Sequence, residues 1–180
     1  MIKTYSIVLL LLIILSCKST EENAFFDFDS VKYYSLNKNK EKELIENNRK
    51  GIKDSILNNI LYSEFPDKLD NGVFYKTINF NGFSKFELSQ KDVEYLRNDV
   101  FVKKVSLMMF ESVKACAPEY RDILIFKKND KISGLAKICI SCGQFYFISS
   151  KKEIQTEDFG TEQEYESLAK LFNTYKKVQN

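Results

Sequence analysis

Four cysteines and a complete absence of histidine set the chemistry open to this 180-residue chain. Cys139-Ile140-Ser141-Cys142 is a Cys-x-x-Cys pair followed by Gly143, and Cys116 lies upstream of it. Such a pair has three uses. A thiol–disulfide redox centre needs a helix N-terminus against the cysteines, because unsatisfied N–H groups there stabilise the thiolate. Here Gln144 to Ile148 reads as strand, and Pro66 and Pro118 both precede the pair, so no later proline faces it. A closed zinc site needs four ligands, and Cys116 without any histidine cannot supply the missing half. The third use is structural. In an extended segment, Cα atoms three residues apart are about 10 Å from each other, too far for a disulfide. Cys139 or Cys142 then pairs with Cys116, whereas a turn at Ser141 to Gly143 permits a local 139–142 bridge. A 116–139 bridge encloses about two dozen residues and contributes about 3 kcal/mol through the unfolded chain. Staples are the expectation, with the pairing open.

The absent histidines also remove Ser-His-Asp triads, Cys-His dyads and the usual neutral-pH general base. No nucleotide, phosphate or paired-carboxylate motif is present, so the expectation leans away from an enzyme, with no cofactor and no metal. Basic and acidic residues number 27 and 25, which gives no electrostatic case for nucleic acid. One further polar group stands out: Tyr120-Arg121-Asp122, just before an apolar strand. Its functional reading is a ligand or partner site at a sheet end. Its plainer reading is an Arg–Asp surface pair worth under about 1 kcal/mol.

The elements that must hold these residues are set by patterning. At 44% hydrophobic and 14% aromatic, the chain has too much apolar surface to stay disordered. A strand begins after Asp29, and apolar spacing predicts a helix over Glu41 to Leu61 that Gly51 interrupts. Asp70-Asn71-Gly72 and Asn81-Gly82 bound Val73 to Phe80, which fits either strand or short helix. Ser89 with Asp92 opens a helix ending near Asn98. Asp122 to Phe126 is apolar on both faces, as in a central strand. After the turn at Lys127 to Lys131, Ile132, Ala136, Ile138 and Ile140 alternate with Ser133, Lys137 and Ser141. Phe145 to Ile148 completes an antiparallel meander over 122–149. Thr161 and Glu164 open a final helix whose stripe is Tyr165, Leu168, Phe172 and Tyr175. The fold class is α+β, an antiparallel meander with one face covered by the C-terminal helix, in a single globular domain over 24–180.

The N-terminus reads as an address. Lys3 precedes an unbroken apolar run, Ile7 to Leu15, which rises about 14 Å as a helix against about 30 Å of hydrocarbon. That is a secretory signal rather than a span. Ile14-Leu15-Ser16-Cys17 resembles the lipobox of bacterial lipoproteins, departing mildly at Ile14 and Leu15 while keeping the small residue Ser16 before the cysteine. The resemblance implies a signal peptide over 1–16, a diacylglyceryl group on the thiol of Cys17 before cleavage, and three acyl chains, palmitate among them, once mature. Two or three acyl chains make a lasting anchor where one is marginal. Lys18, in place of the aspartate that retains such proteins at the inner membrane, implies the outer membrane. Residues 17–23 form the acylated cysteine and a polar tether of roughly 20 Å. The spacing of Cys116, Tyr120-Arg121-Asp122 and Cys139-x-x-Cys142 is similar to that of small bacterial envelope lipoproteins, over about 116–160. It implies a shared fold and location and supplies no activity.

The expectation is therefore a membrane-tethered, non-catalytic binding or interaction module with an envelope protein as partner, at the periplasmic or surface face. The alternatives are a tethered thiol–disulfide redox protein using Cys139 and Cys142, or an envelope inhibitor or immunity-type protein.

Overall fold

Asn129 and Asp130, both in the left-handed region at φ 49° and 61°, make the tight turn that folds the most apolar stretch of the chain into a hairpin. Two consecutive left-handed residues match the twist of the flanking strands, and Asn and Asp tolerate that conformation best after glycine. The hairpin is the centre of a five-stranded antiparallel sheet in a computed structural model that describes residues 24–103, 116–151, 154, 156 and 159–177. The signal peptide, Cys17 and the tether expected over 17–23 lie outside the described residues.

The strands are β1 (Ser30–Leu36), β2 (Phe83–Glu87), β3 (Asp122–Lys128), β4 (Lys131–Cys139) and β5 (Gln144–Ser149), in the order β2-β1-β3-β4-β5. Three helices intervene between β1 and β2: α1 (Lys38–Arg49), α2 (Ser55–Tyr62) and α3 (Gly72–Phe80). Helix α4 (Gln90–Tyr95) runs into a π-helical turn over Leu96–Val100, and α5 (Glu162–Lys177) closes the described chain. The class is α+β, and the meander and the covering α5 are present as expected.

Each helix begins on a residue that caps it. Asn37, Asp54, Asn71 and Ser89 accept from the backbone N–H of Lys40, Leu57, Phe74 and Asp92. At α5 the capping box is reciprocal, with Glu164 N–H donating to Thr161 Oγ1 and Thr161 N–H donating to Glu164 Oε2. Gly51, at φ 77°, separates α1 from α2 where one interrupted helix was expected. Val73 to Phe80 resolves as helix because Asn71 caps it.

The sheet is buried on both faces, as the doubly apolar run of β3 announces, whereas the only cover expected was the C-terminal helix on one face. Against one face lie α4, α5 and the aromatic segment Phe25, Phe26 and Phe28, packed on Tyr33, Leu124, Phe126, Ala136 and Ile138. Against the other lie α2 and α3, whose Ile60, Phe74 and Ile78 meet Tyr34, Ile123, Ile125 and Leu135. A bulge accounts for one discrepancy in β4. Phe126 pairs with Gly134 but Lys127 with Ile132, so Ser133 is the extra residue. Ile132 therefore joins the α2–α3 side rather than the face of Ala136 and Ile138.

Candidate functional site

The three body cysteines converge where β4 turns into β5. The turn over Ile140–Gly143 reverses the chain, helped by Gly143 at φ 61°. Cys142, in that turn, is disulfide-bonded to Cys116 with Cα atoms 6.0 Å apart. The expected staple is present, and its pairing is 116–142 rather than 116–139 or 139–142. Cys139 is left as a buried free thiol. Its Sγ accepts the Glu119 N–H at 3.3 Å and lies 3.5 Å from Ser141 Oγ. Gln144 Nε2 donates to the Cys116 carbonyl at 3.2 Å, so residues 116–119 are pinned to the β4–β5 turn at several points. Strand β5, not a helix, comes directly after the pair, so the segment following it does not supply the helix terminus from which a redox centre draws its thiolate stabilisation.

Two residues before Cys139, on the same face of β4, Lys137 is completely buried at 0% exposure. Its Nζ donates to the carbonyls of Ser63 at 2.5 Å and Phe65 at 2.8 Å. It also sits 4.5 Å from the centre of the Tyr120 ring and 5.5 Å from that of Tyr146. Two carbonyls and two aromatic faces thus form a cage around one ammonium. The loop they belong to comes after α2 and contains a cis Phe65–Pro66 bond, and Tyr146 donates its hydroxyl to the Pro66 carbonyl at 3.0 Å. Burial pushes the Lys137 amine down to about 7, with Glu64 pulling in the opposite direction. Burial likewise raises the Tyr120 hydroxyl to about 12, with Glu64, Cys139 and Tyr146 adding to the effect. The enclosed amine anchors the 63–66 loop to the sheet beside the disulfide.

Tyr120, Arg121 and Asp122 do not form one site. Tyr120 belongs to the cage. Arg121 is half-exposed and pairs with Glu41 Oε1 at 2.8 Å and with Glu119. It rims a shallow depression with Leu36, Leu44, Ile45 and Tyr62. The expected Arg–Asp pair is thus corrected: Asp122 is buried and faces α5, where its Oδ1 accepts from Tyr33 at 2.5 Å, Ser35 at 3.1 Å and Lys176 at 2.8 Å. Burial and the Asp122 charge push the Tyr33 hydroxyl far above its ordinary value. This network ties β1 and β3 to the last turn of α5.

Among the described residues, no group of three or more His, Cys, Asp or Glu side chains is placed to hold a metal ion. The residue that sequence reasoning missed is Lys137, whose position in the alternation reads as part of a polar face. A signal was available: its same-face neighbours in the strand are Leu135 and Cys139, both apolar. No protein-family model, no curated protein and no solved structure matches the chain.

Proposed function

We propose that this chain is a lipid-anchored cell-envelope protein whose body is a non-catalytic interaction module, held at the outer membrane through Cys17. The Cys116–Cys142 disulfide carries the reading, because such bridges persist outside the reducing cytosol. The lipobox-like Ile14-Leu15-Ser16-Cys17 supplies the address. Layers on both sheet faces leave the outer helices as the surface offered to a partner. Large apolar side chains are exposed there, Ile45, Ile56 and Tyr62 among them. An inhibitor or immunity-type role is one form such a module takes. The redox alternative draws little support, since Cys142 is bonded to Cys116 and a strand succeeds the pair.

Metabolic labelling with palmitate, on the wild type and on Cys17→Ser, tests the anchor. Label that tracks Cys17 into the membrane fraction supports it, and equal labelling of the variant rejects it. Crosslinking in the intact envelope then identifies the partner; a body that crosslinks to nothing there, but turns over a substrate, refutes the module.

A further inference from the structure

The α1–α3 layer carries the most exposed large apolar side chains among the described residues. Phe80, the last residue of α3, is 84% exposed, and Ile52, in the loop between α1 and α2, is 61% exposed. They belong to one corner of the molecule. Asn81, next to Phe80, donates its Nδ2 to Asp54 Oδ2 at 3.0 Å, and Asp54 is two residues from Ile52. Val73, 53% exposed, extends the stripe back along α3, seven residues before Phe80.

The charged residues around this corner are mainly basic. Arg49, Lys50 and Lys53 flank Ile52, and Lys76 stands one helical turn before Phe80 on the same side of α3; all four are exposed. The acids nearby are engaged. Glu46 pairs with Lys50 at 3.0 Å, and Asp54 caps α2 while holding Asn81. Arg49, Lys53 and Lys76 remain as outward cations around two solvent-facing apolar side chains.

From this juxtaposition we infer that the corner carrying Ile52 and Phe80 dips into the headgroup layer of an anionic lipid bilayer, with Arg49, Lys53 and Lys76 on the phosphates. Apolar tips ringed by cations fit a bilayer interface, where the side chains bury in the acyl boundary and the charges stay at the headgroups. The inference rests on the tethered reading for one point, that the body is held near lipid. Seven residues from Cys17 to Ala24 reach about 24 Å when extended. Ala24 bridges to Val102 and its carbonyl accepts from Lys151, and the adjoining Phe25 belongs to the side of the sheet away from α3. The anchor thus holds the body near lipid without fixing which face meets it, and the choice of face rests on the side chains of the corner itself.

The chain contains no tryptophan, so a single introduced indole reports its own position. The full chain carrying Phe80→Trp is reconstituted into phosphatidylglycerol vesicles with brominated acyl chains, with Tyr95→Trp, on α4, as reference. Expected is strong quenching of the position-80 indole by bromine and protection from acrylamide, with neither at position 95. Both effects should shrink in neutral phosphatidylcholine and at high salt. Removing two cations with Lys53→Ser and Lys76→Ser should lower the docking constant about thirtyfold. A position-80 indole as open to acrylamide as the reference overturns the inference, and so does one shielded only in native envelopes, which marks a protein occupant. Palmitate on Cys17 is scored in the same samples. Labelled Cys17 with an exposed indole sinks the docking and keeps the anchor; unlabelled Cys17 with a bromine-quenched indole does the reverse.

Discussion

Replacing Lys137 by methionine should remove a pH dependence of stability that the wild type carries between about pH 7 and pH 10. The amine falls from its ordinary 10.5 to about 7 on folding because burial disfavours its charge. Above pH 7 the folded protein has given up this proton while the unfolded chain keeps it until about 10.5. The unfolded state then binds more protons, so stability rises with pH across that window. The full drop corresponds to about 5 kcal/mol, and the part realised between pH 7 and pH 9 is about 2 kcal/mol. Below pH 7 both states are protonated, and the whole cost of burying the ammonium is present.

Methionine keeps the length of the side chain and discards the titration. It leaves the Ser63 and Phe65 carbonyls without their donor, at about 1–3 kcal/mol each, and removes the cost of the buried charge. The two effects nearly cancel at neutral pH, so Lys137→Met should match the wild type there to within about 2 kcal/mol and fall behind it as pH rises. Urea midpoints measured every half pH unit from 6 to 9.5 for both proteins give the result as a difference, in which every other titrating group drops out. Parallel pH profiles for the two proteins would refute the reasoning. They would mean that the carbonyls and rings of the cage hold the ammonium charged throughout, and that burial does not lower its affinity for the proton.

Three further outcomes rest on the packing. Cys142→Ser opens a bridge between residues 26 apart and should cost about 3–4 kcal/mol by urea unfolding without reductant; a loss under 1 kcal/mol counts against a native 116–142 bridge. Gly134→Ala places a Cβ 2.4 Å from Phe26 Cδ1 and should destabilise by about 1–3 kcal/mol, whereas Gly72→Ala, with nothing within 4 Å, should change the thermal midpoint little. Asp122→Ala strands the buried Tyr33 hydroxyl and frees Lys176 from the sheet, at about 3 kcal/mol. Hydrogen exchange should then show α5 loosening from its C-terminal end, and uniform loosening of the whole chain would contradict that attribution.

Much of the fold was legible because local chemistry and tertiary packing agree. Thr161 and Glu164 start α5 as their spacing announces, and the apolar run Asp122 to Phe126 is the central strand. Agreement across levels is what makes a segment readable. The interval Val73 to Phe80 was ambiguous for the opposite reason. Its apolar residues fit either period, and the decision falls to Asn71, whose side chain satisfies the N–H of Phe74 and so favours helix. The second covered face is marked in β3, whose run is apolar on both sides, but what covers it was illegible, because that depends on how α1, α2 and α3 return across the sheet.

That hidden layer is also why Lys137 escapes a sequence reading. A lysine in a strand is ordinarily assigned to the solvent side, since a buried ammonium without partners is too costly. The partners here are backbone carbonyls of Ser63 and Phe65, which no side-chain pattern advertises, and ring faces of Tyr120 and Tyr146 that are distant in sequence. The same separation governs the cysteines. The pair 139–142 draws attention because it is local, yet the bond forms to Cys116, because the β4–β5 turn presents Cys142 to the segment that Glu119 and Gln144 hold against the sheet. Cys139, at the end of β4, packs inward on the same face as Lys137 and is occupied by the Glu119 N–H. A motif read along the chain counts neighbours in sequence, whereas burial and bonding are settled between segments that only the folded sheet brings together. For this chain the chemistry-bearing residues were therefore visible as types, while their division into a bonded pair, a buried thiol and a caged ammonium required the three layers.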